Sequence, residues 1–349
     1  MNHSMLVRTL AIATFALCLC VVVLGAYVRL SNAGLGCPDW PGCYGHLTPS
    51  GAASDAHTLA TPLAGRVLNV GKAWREMIHR YAAGTLATLI VVLALMTTAW
   101  RRERIVALWY TLALAGIVLV QAILGALTVT RQLKPLIVTA HLLFGFATLC
   151  LLWWLTLTLW WQRAPAHAPP RQAHFRPDSG SLRLARTAAL LGLCALVVQI
   201  ALGGWTSSNY AAIACPDLPT CQGSWWPKAD FQSAYVLWRD LNVDYTGGVL
   251  DNPARVAIHL THRLGAMGAC LCLLLAALTA LRVQQMRSVR GCAWALLAAL
   301  GLQLLIGINM VWRGFPLWLA TAHNAGAALL LLATLGLCRA LRPIDAIRT

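Results

Sequence analysis

Cys37-Pro-Asp-Trp-Pro-Gly-Cys43 and Cys215-Pro-Asp-Leu-Pro-Thr-Cys221 are two copies of one heptapeptide, C-P-D-x-P-x-C, and a His-Arg pair follows each copy at nearly the same distance (His79-Arg80 and His262-Arg263). The chain is therefore a tandem duplication. Whatever one half does is written twice, and the positions where the halves disagree mark where their tasks differ.

Around these motifs the chain is apolar: 59% of its 349 residues are hydrophobic and 11% are charged. That composition describes a polytopic membrane protein. Eight runs are long enough to cross a hydrocarbon layer of about 30 Å, near residues 10–28, 76–99, 105–129, 136–160, 187–206, 257–281, 292–312 and 316–338. The first resembles a secretory signal, but Leu24-Gly25-Ala26-Tyr27 is a poor small-x-small cleavage site, so it is read as a span.

The formal net charge is +16, and its distribution explains it. Arg101, Arg102 and Arg104, then Arg163, Arg171, Arg176, Arg183 and Arg186, then Arg282, Arg287 and Arg290 fall in alternate connections, with Arg8, Arg339, Arg342 and Arg348 on the same side. The short opposite connections hold only Arg131 and Lys134, or Arg313. By the positive-inside rule both termini are cytoplasmic; the charge sets orientation and calls for no nucleic acid. Both long connections, about 29–75 and 207–256, then lie outside the cytoplasm with the two cysteine motifs.

Eight cysteines (Cys18, Cys20, Cys150, Cys194, Cys270, Cys272, Cys292 and Cys338) lie in or at the ends of spans and read as small apolar residues. The loop cysteines are six positions apart with two prolines between them, which in an oxidising compartment reads as a local disulfide in each loop. Zinc binding and a redox relay are the alternatives, and four cysteines allow three pairings.

The halves also align at Glu76-Met-Ile-His79-Arg80 with His259-Leu-Thr-His262-Arg263, at Gln121-Ala-Ile-Leu-Gly125 with Gln303-Leu-Leu-Ile-Gly307, and at Thr139-Ala140-His141 with Thr321-Ala322-His323. Four spans per half is an even number, so both halves enter the membrane in the same direction. The expected fold is an all-α integral membrane protein with eight transmembrane helices, forming two tandem four-helix bundles related by a pseudo-two-fold axis along the membrane normal. Residues 1–162 form the first half, 163–186 a cytoplasmic linker and 187–349 the second half. His79, His141, His262 and His323 fall on the second, fourth, sixth and eighth spans, each within about two turns of the start as the spans are drawn here.

Four histidines at repeat-equivalent positions and matched depth suit axial ligation of haem iron between facing helices; hydrogen-bonded core histidines are the plainer reading. The carboxylate supply argues against a di-iron centre, because the chain has two glutamates, Glu76 and Glu103, and Glu103 belongs to a cytoplasmic loop. Arg80 and Arg263 are read either as snorkelling to lipid headgroups or as partners of haem propionates.

The halves disagree at Glu76, whose counterpart is His259. Glu76 shares a helix face with His79, and a carboxyl beside a ligand in a partly dry site can handle protons for a reacting substrate. The plain alternative is a helix N-terminal glutamate favoured by the macrodipole. His259 competes with His262 as a ligand, with His262 preferred because it shares the His-Arg step. In the second outer loop Phe231, Ala234, Tyr235, Trp238 and Leu241 are spaced as one helical face, either a short amphipathic helix on the outer surface or ordinary loop burial.

Gly25-Ala-Tyr-Val-Arg-Leu-Ser-Asn-Ala-Gly-Leu-Gly-Cys37-Pro-Asp-Trp-Pro-Gly-Cys43, the Glu76 to Arg80 segment and the two later histidine segments together resemble the haem A synthase family. The resemblance extends over all eight spans. It implies a membrane oxidoreductase of the bacterial cytoplasmic membrane that oxidises the ring methyl of haem O to a formyl group. It implies haem b as cofactor on His262 and His323, substrate haem O on His79 and His141, and Glu76 as essential to turnover. Cys37 and Cys43 match a pair to which a redox role is sometimes attributed, and Cys215 and Cys221 a second pair that some members lack. Haem O synthase and an electron donor are the expected partners. The oxidation is expected to be oxygen-dependent and stepwise, through a geminal diol that loses water. A di-haem b-type cytochrome taking electrons from quinol uses the same four histidines but gives no reason for Glu76. A transporter is disfavoured because no charged residue lies in the middle of a span.

Overall fold

The computed structural model describes residues 3–55, 66–100, 108–161, 179–239, 243–283 and 287–342. Arg101, Arg102, Glu103, Arg104, Arg163, Arg171, Arg176, Arg348 and Leu241, on which parts of the orientation and loop readings rest, lie outside them. Among the described residues eight helices are long and apolar enough to cross a membrane: α1 His3–Leu30, α2 Val70–Ala99, α3 Leu108–Thr130, α4 Pro135–Trp161, α5 Ser179–Ser208, α6 Asn252–Leu281, α7 Arg287–Trp312 and α8 Leu317–Ala340.

Several helices begin a turn or more before the apolar runs do. Helix α2 starts at Val70, where Asn69 accepts a hydrogen bond from the Lys72 amide at 3.0 Å, and α6 starts at Asn252 with Pro253 in its first turn. Hydropathy registers only the part of a helix that lipid would face, so polar first turns are lost to it. As a result His79 and His262 sit about one and a half turns further along their helices than the apolar runs place them.

The odd-numbered helices all close in the same way at the end bearing the long loops. The Ala33 amide returns to the Val28 carbonyl at 3.0 Å, Leu133 to Thr128 at 2.8 Å, Ala211 to Thr206 at 2.9 Å and Phe315 to Met310 at 2.8 Å. In each case the preceding residue is left-handed (Asn32, Gln132, Tyr210 and Gly314), which is the Schellman arrangement.

Helices α1 with α2, α2 with α3, α3 with α4, and α1 with α4 are neighbours, as are α5 with α6, α6 with α7, α7 with α8, and α5 with α8. Between the halves α1 meets α8, α4 meets α5, and α4 meets α8. Lipid gives little hydrophobic drive between helices, so close packing falls to small residues. Ala185, Ala188 and Ala189 on α5 and Ala276, Ala277 and Ala280 on α6 are all buried in one core cluster. That cluster, with Val7, Ala11, Leu93 and Leu155, fills the end away from the long loops. The loop-bearing end is hollow.

The second long loop is less helical than one reading of its spacing. Helix extends only over Phe231–Ala234, where the Ala234 carbonyl accepts from the Trp205 indole at 3.0 Å. Trp238 lies beyond it, 61% exposed, under the Lys134 ammonium at 3.4 Å from the ring centroid.

Candidate functional site

Each cysteine loop is a small closed unit built in the same way twice. Cys37 is bonded to Cys43 and Cys215 to Cys221. The Asp39 carboxylate accepts from the Tyr44 and Gly45 amides at 2.6 and 2.9 Å, and Asp217 accepts from Gln222 and Gly223 at 2.6 and 3.0 Å. The motif's aspartate is thus the internal brace of a turn. In this exposed second loop the Thr220 hydroxyl, then the amides, hold the Asp217 carboxyl below the usual carboxylate range.

The arginine after each histidine fastens the loop to the helix beneath it. Arg80 donates to the carbonyls of Asp39 at 2.9 Å and Gly42 at 2.6 Å, and Arg263 to those of Thr220 and Asp217, both at 2.7 Å, and Cys215 at 3.1 Å. The guanidinium forks therefore already serve loop carbonyls, a role that spacing along the sequence did not reveal.

Beneath the loops lies one cavity of about 1920 Å³ that runs through both halves. Single-ligand pockets are typically about 300–1,000 Å³, so this one has room for more than one large ligand. Its wall includes His79, His141, His262 and His323, with Trp40 and Pro41 from the first loop and Leu218 and Pro219 from the second. His79 and His141 are close enough for their charges to interact, and so are His262 and His323. The structure thus gathers the four sequence-selected histidines at one hollow, in two pairs.

Each of these rings rests against a glycine on the neighbouring helix. A Cβ on Gly25 would lie 2.8 Å from His79 Cε1, on Gly125 3.4 Å from His141, on Gly203 3.3 Å from His262 and on Gly307 3.1 Å from His323. Gly25 and Gly203 are repeat equivalents, as are Gly125 and Gly307. A methyl at the tightest of these sites would push the ring into the cavity, so the glycines set how the imidazoles stand. Nδ1 of His79, His141 and His323 is buried without a hydrogen-bond partner. Buried imidazoles with unmet nitrogens, facing a large apolar hollow, fit the donor set that a haem takes for its iron.

His259 is placed differently. It is buried on the cavity wall and lies edge-on to Phe315 at 6.2 Å between centroids, and its Nδ1 is also buried without a hydrogen-bond partner. No glycine cradle faces it among the described residues, whereas His262 has Gly203.

Glu76 is 4% exposed, and both of its oxygens are occupied. Oε2 accepts from the Cys37 amide at 2.9 Å and Oε1 from Arg80 at 2.5 Å. Gly36 makes this contact possible: a Cβ there would lie 2.6 Å from the Lys72 carbonyl carbon of α2. Because α2 begins at Val70, Glu76 stands beyond its first turn, and the macrodipole, which fades within that turn, does not account for it.

Two of the four rings also meet a glutamine side chain. Gln199 on α5 reaches His262, with Nε2 at 3.0 Å from the ring Nδ1 and 3.0 Å from the His262 carbonyl oxygen. Gln303 Nε2 likewise lies 3.3 Å from His323 Nε2. Gln199 stands four residues before Gly203, and Val21 stands four before Gly25; aligning the glycines would have exposed the difference.

The family model of cytochrome oxidase assembly proteins matches residues 8–335. A heme A synthase of Shewanella oneidensis is 40% identical over 325 residues, covering 91% of this chain and 92% of the relative. A heme A synthase of Methylobacterium sp. is 28% identical, covering 90% and 86%, and one of Halalkalibacterium halodurans 24% identical, covering 87% and 86%. These matches decide against the di-haem cytochrome and the transporter. The chain belongs to the haem A synthase family of membrane oxidoreductases.

Proposed function

We propose that the chain holds substrate haem O between His79 and His141 and a resident haem b between His262 and His323, and oxidises the ring methyl of haem O to a formyl group. The observation that carries this division is the buried Glu76–Arg80 pair, which borders the first histidine pair and has His259 as its counterpart at the second. A reacting substrate needs a group that exchanges protons; a resident electron carrier does not.

The architecture belongs to the same proposal: two four-helix bundles, 1–162 and 187–349, joined by a cytoplasmic linker and related by a pseudo-two-fold axis along the membrane normal. In support, exchanging the halves maps the α1 contact with α8 onto that of α5 with α4, and the four neighbour pairs of one half onto those of the other. Both termini are cytoplasmic and the cysteine loops face the opposite side, as the arginine distribution requires. Haem O synthase is the proposed source of substrate, molecular oxygen the oxidant and source of the formyl oxygen, and a separate donor the source of the electrons that reduce the second oxygen atom to water.

Haem b, when bound, supplies a redox-active iron. The chain's own residues do the rest. Glu76 Oε1 is committed to the Arg80 guanidinium, and a proton there would break the pair. Oε2 accepts from the neutral Cys37 amide, so Oε2 is the atom that accepts and returns a proton during methyl oxidation. Arg80 fixes the carboxylate and, through the loop carbonyls, keeps the first loop shut over the cavity against water. Arg80 and Arg263 border the cavity and remain the proposed propionate partners at its loop-bearing edge.

The test is Glu76→Gln with bound haems extracted and separated. Haem b stays at one per chain, haem O accumulates, and haem A formation falls by roughly 10²–10⁴-fold, the usual worth of a positioned acid–base group. Haem A formation at the normal rate overturns the role assigned to Glu76.

A further inference from the structure

We infer that Gln199 is the residue that makes the second haem site permanent, and that Val21, its counterpart, leaves the first site exchangeable. The inference rests on His262 being an iron ligand, as proposed above.

Among the four candidate ligands, His262 alone has a side chain against its Nδ1 among the described residues. A histidine that ligates through Nε2 must carry its proton on Nδ1, and a partner there fixes the tautomer, the ring plane and the basicity of the ligand. Gln199 is suited to this because an amide serves either tautomer. With Nε2 toward the ring it donates to a bare Nδ1. A half-turn brings Oε1, which is buried without a partner, to the same place, where it accepts from Nδ1–H. The carbonyl of His262, helical and open to its own i+4 donor, does not depend on the glutamine. Gly265 provides the space: a Cβ there would collide with Gln199 Oε1, and at the equivalent position the first half has Ala82.

In the first half the same point on α1 is Val21, buried and unable to hydrogen-bond. His79 keeps its glycine cradle but has no partner on Nδ1. The two pairs thus share their cradles and differ in how firmly one ring is held. A site whose haem is substrate must release it after each turnover, and a loosely held ligand permits release. A site whose haem stays gains from a ligand that cannot turn away.

The experiment uses the full-length protein purified in detergent with its haem, and compares wild type with Gln199→Val, Gln199→Glu, Val21→Gln and His262→Ala. Two quantities are read: the rate of haem b transfer to excess apomyoglobin, and the midpoint potential of the haem that remains. Gln199→Val is expected to lose haem b roughly tenfold faster, within the range known for removing a partner behind a metal-bound histidine, and to raise its potential. Gln199→Glu, a stronger acceptor, restores retention and lowers the potential below that of wild type. Val21→Gln slows loss of haem from the first site. A structural role for Gln199 does not reverse the potential between Val and Glu.

Unchanged retention and potential in both Gln199 variants, with His262→Ala losing its haem b, overturns the inference and leaves the ligand assignment standing. Full retention of haem b in His262→Ala overturns the ligand assignment, and the inference falls with it.

Discussion

The two ends of the duplication are alike where they cover the cavity and unlike where they touch it. Each loop is braced by an aspartate inside its turn, closed by a disulfide and fastened by an arginine to the helix that carries a histidine. Below that shell the first half brings Gly36 against α2 and aims the Cys37 amide at Glu76, while the second has Ala214 and sets His259 edge-on to Phe315. Glutamine stands behind His262 and valine behind the space around His79. A duplicated scaffold has kept its lid and cradles twice and divided its chemistry between the copies, with proton handling in one and ligand fixation in the other.

The histidines offer the largest break. His262→Ala is expected to abolish bound haem b, whereas His79→Ala keeps haem b and loses haem O; haem extracted from each purified variant and counted per chain distinguishes them. Equal loss of haem b from both would mean that the sites are not specialised as the halves suggest.

The arginines come next, and the contrast between them is energetic. Arg80→Met strands Glu76, a carboxylate buried without its cation, at a cost of about 3–5 kcal/mol. Arg263→Met leaves only loop carbonyls without a donor, about 1–3 kcal/mol. Thermal unfolding in detergent should therefore drop further for Arg80→Met, and Arg80→Met combined with Glu76→Gln should recover part of the loss. Equal drops, or no recovery, would mean that the pair is not what the buried carboxylate depends on.

A finer comparison uses the cradles. Overpacking a filled site costs about 1–3 kcal/mol, and the gaps order the four glycines. Gly25→Ala, at 2.8 Å, should disturb its histidine most, then Gly307→Ala at 3.1 Å, Gly203→Ala at 3.3 Å and Gly125→Ala at 3.4 Å. The order crosses between the halves, so haem spectra that instead grouped by half would show that the cradles follow function rather than contact distance.

Much of this arrangement was legible in the chain. The repeated heptapeptide aligned the halves, hydropathy counted eight helices, and the alignment drew out four histidines and the odd Glu76. What escaped was the residue whose meaning depends on a neighbour. Gln199 looks like any polar residue inside a span until Gly203, four positions on, is seen to seat His262. Arg80 and Arg263 offered two readings from their place at a helix end, and the loop carbonyls that engage them are some forty residues away in the chain. The helix starts at Val70 and Asn252 were hidden because their first turns are polar. Spacing registers periodic burial; it does not register which donor meets which acceptor across a fold.

The smallest expected effect tests whether the loops are as alike in strength as in shape. Asp217 is held below the ordinary aspartate value, about 3.9, by the Thr220 hydroxyl first and then by the Gly223 and Gln222 amides. A depressed native pKa stabilises the folded loop above the unfolded value, and the contribution is lost as pH falls through the native one. Because this carboxylate is exposed, the effect is modest. Exchange of the Gln222 and Gly223 amides, corrected for the intrinsic rate at each pH, should hold steady from neutrality to about pH 4 and quicken below it. Asp217→Asn should remove that quickening and leave exchange faster at neutral pH, since a neutral side chain accepts more weakly from an amide than a carboxylate does. A corrected rate in wild type that stays flat through the acid range would show that the loop is held by its disulfide and by Arg263 alone. The aspartate would then be a relic of the shape rather than its brace.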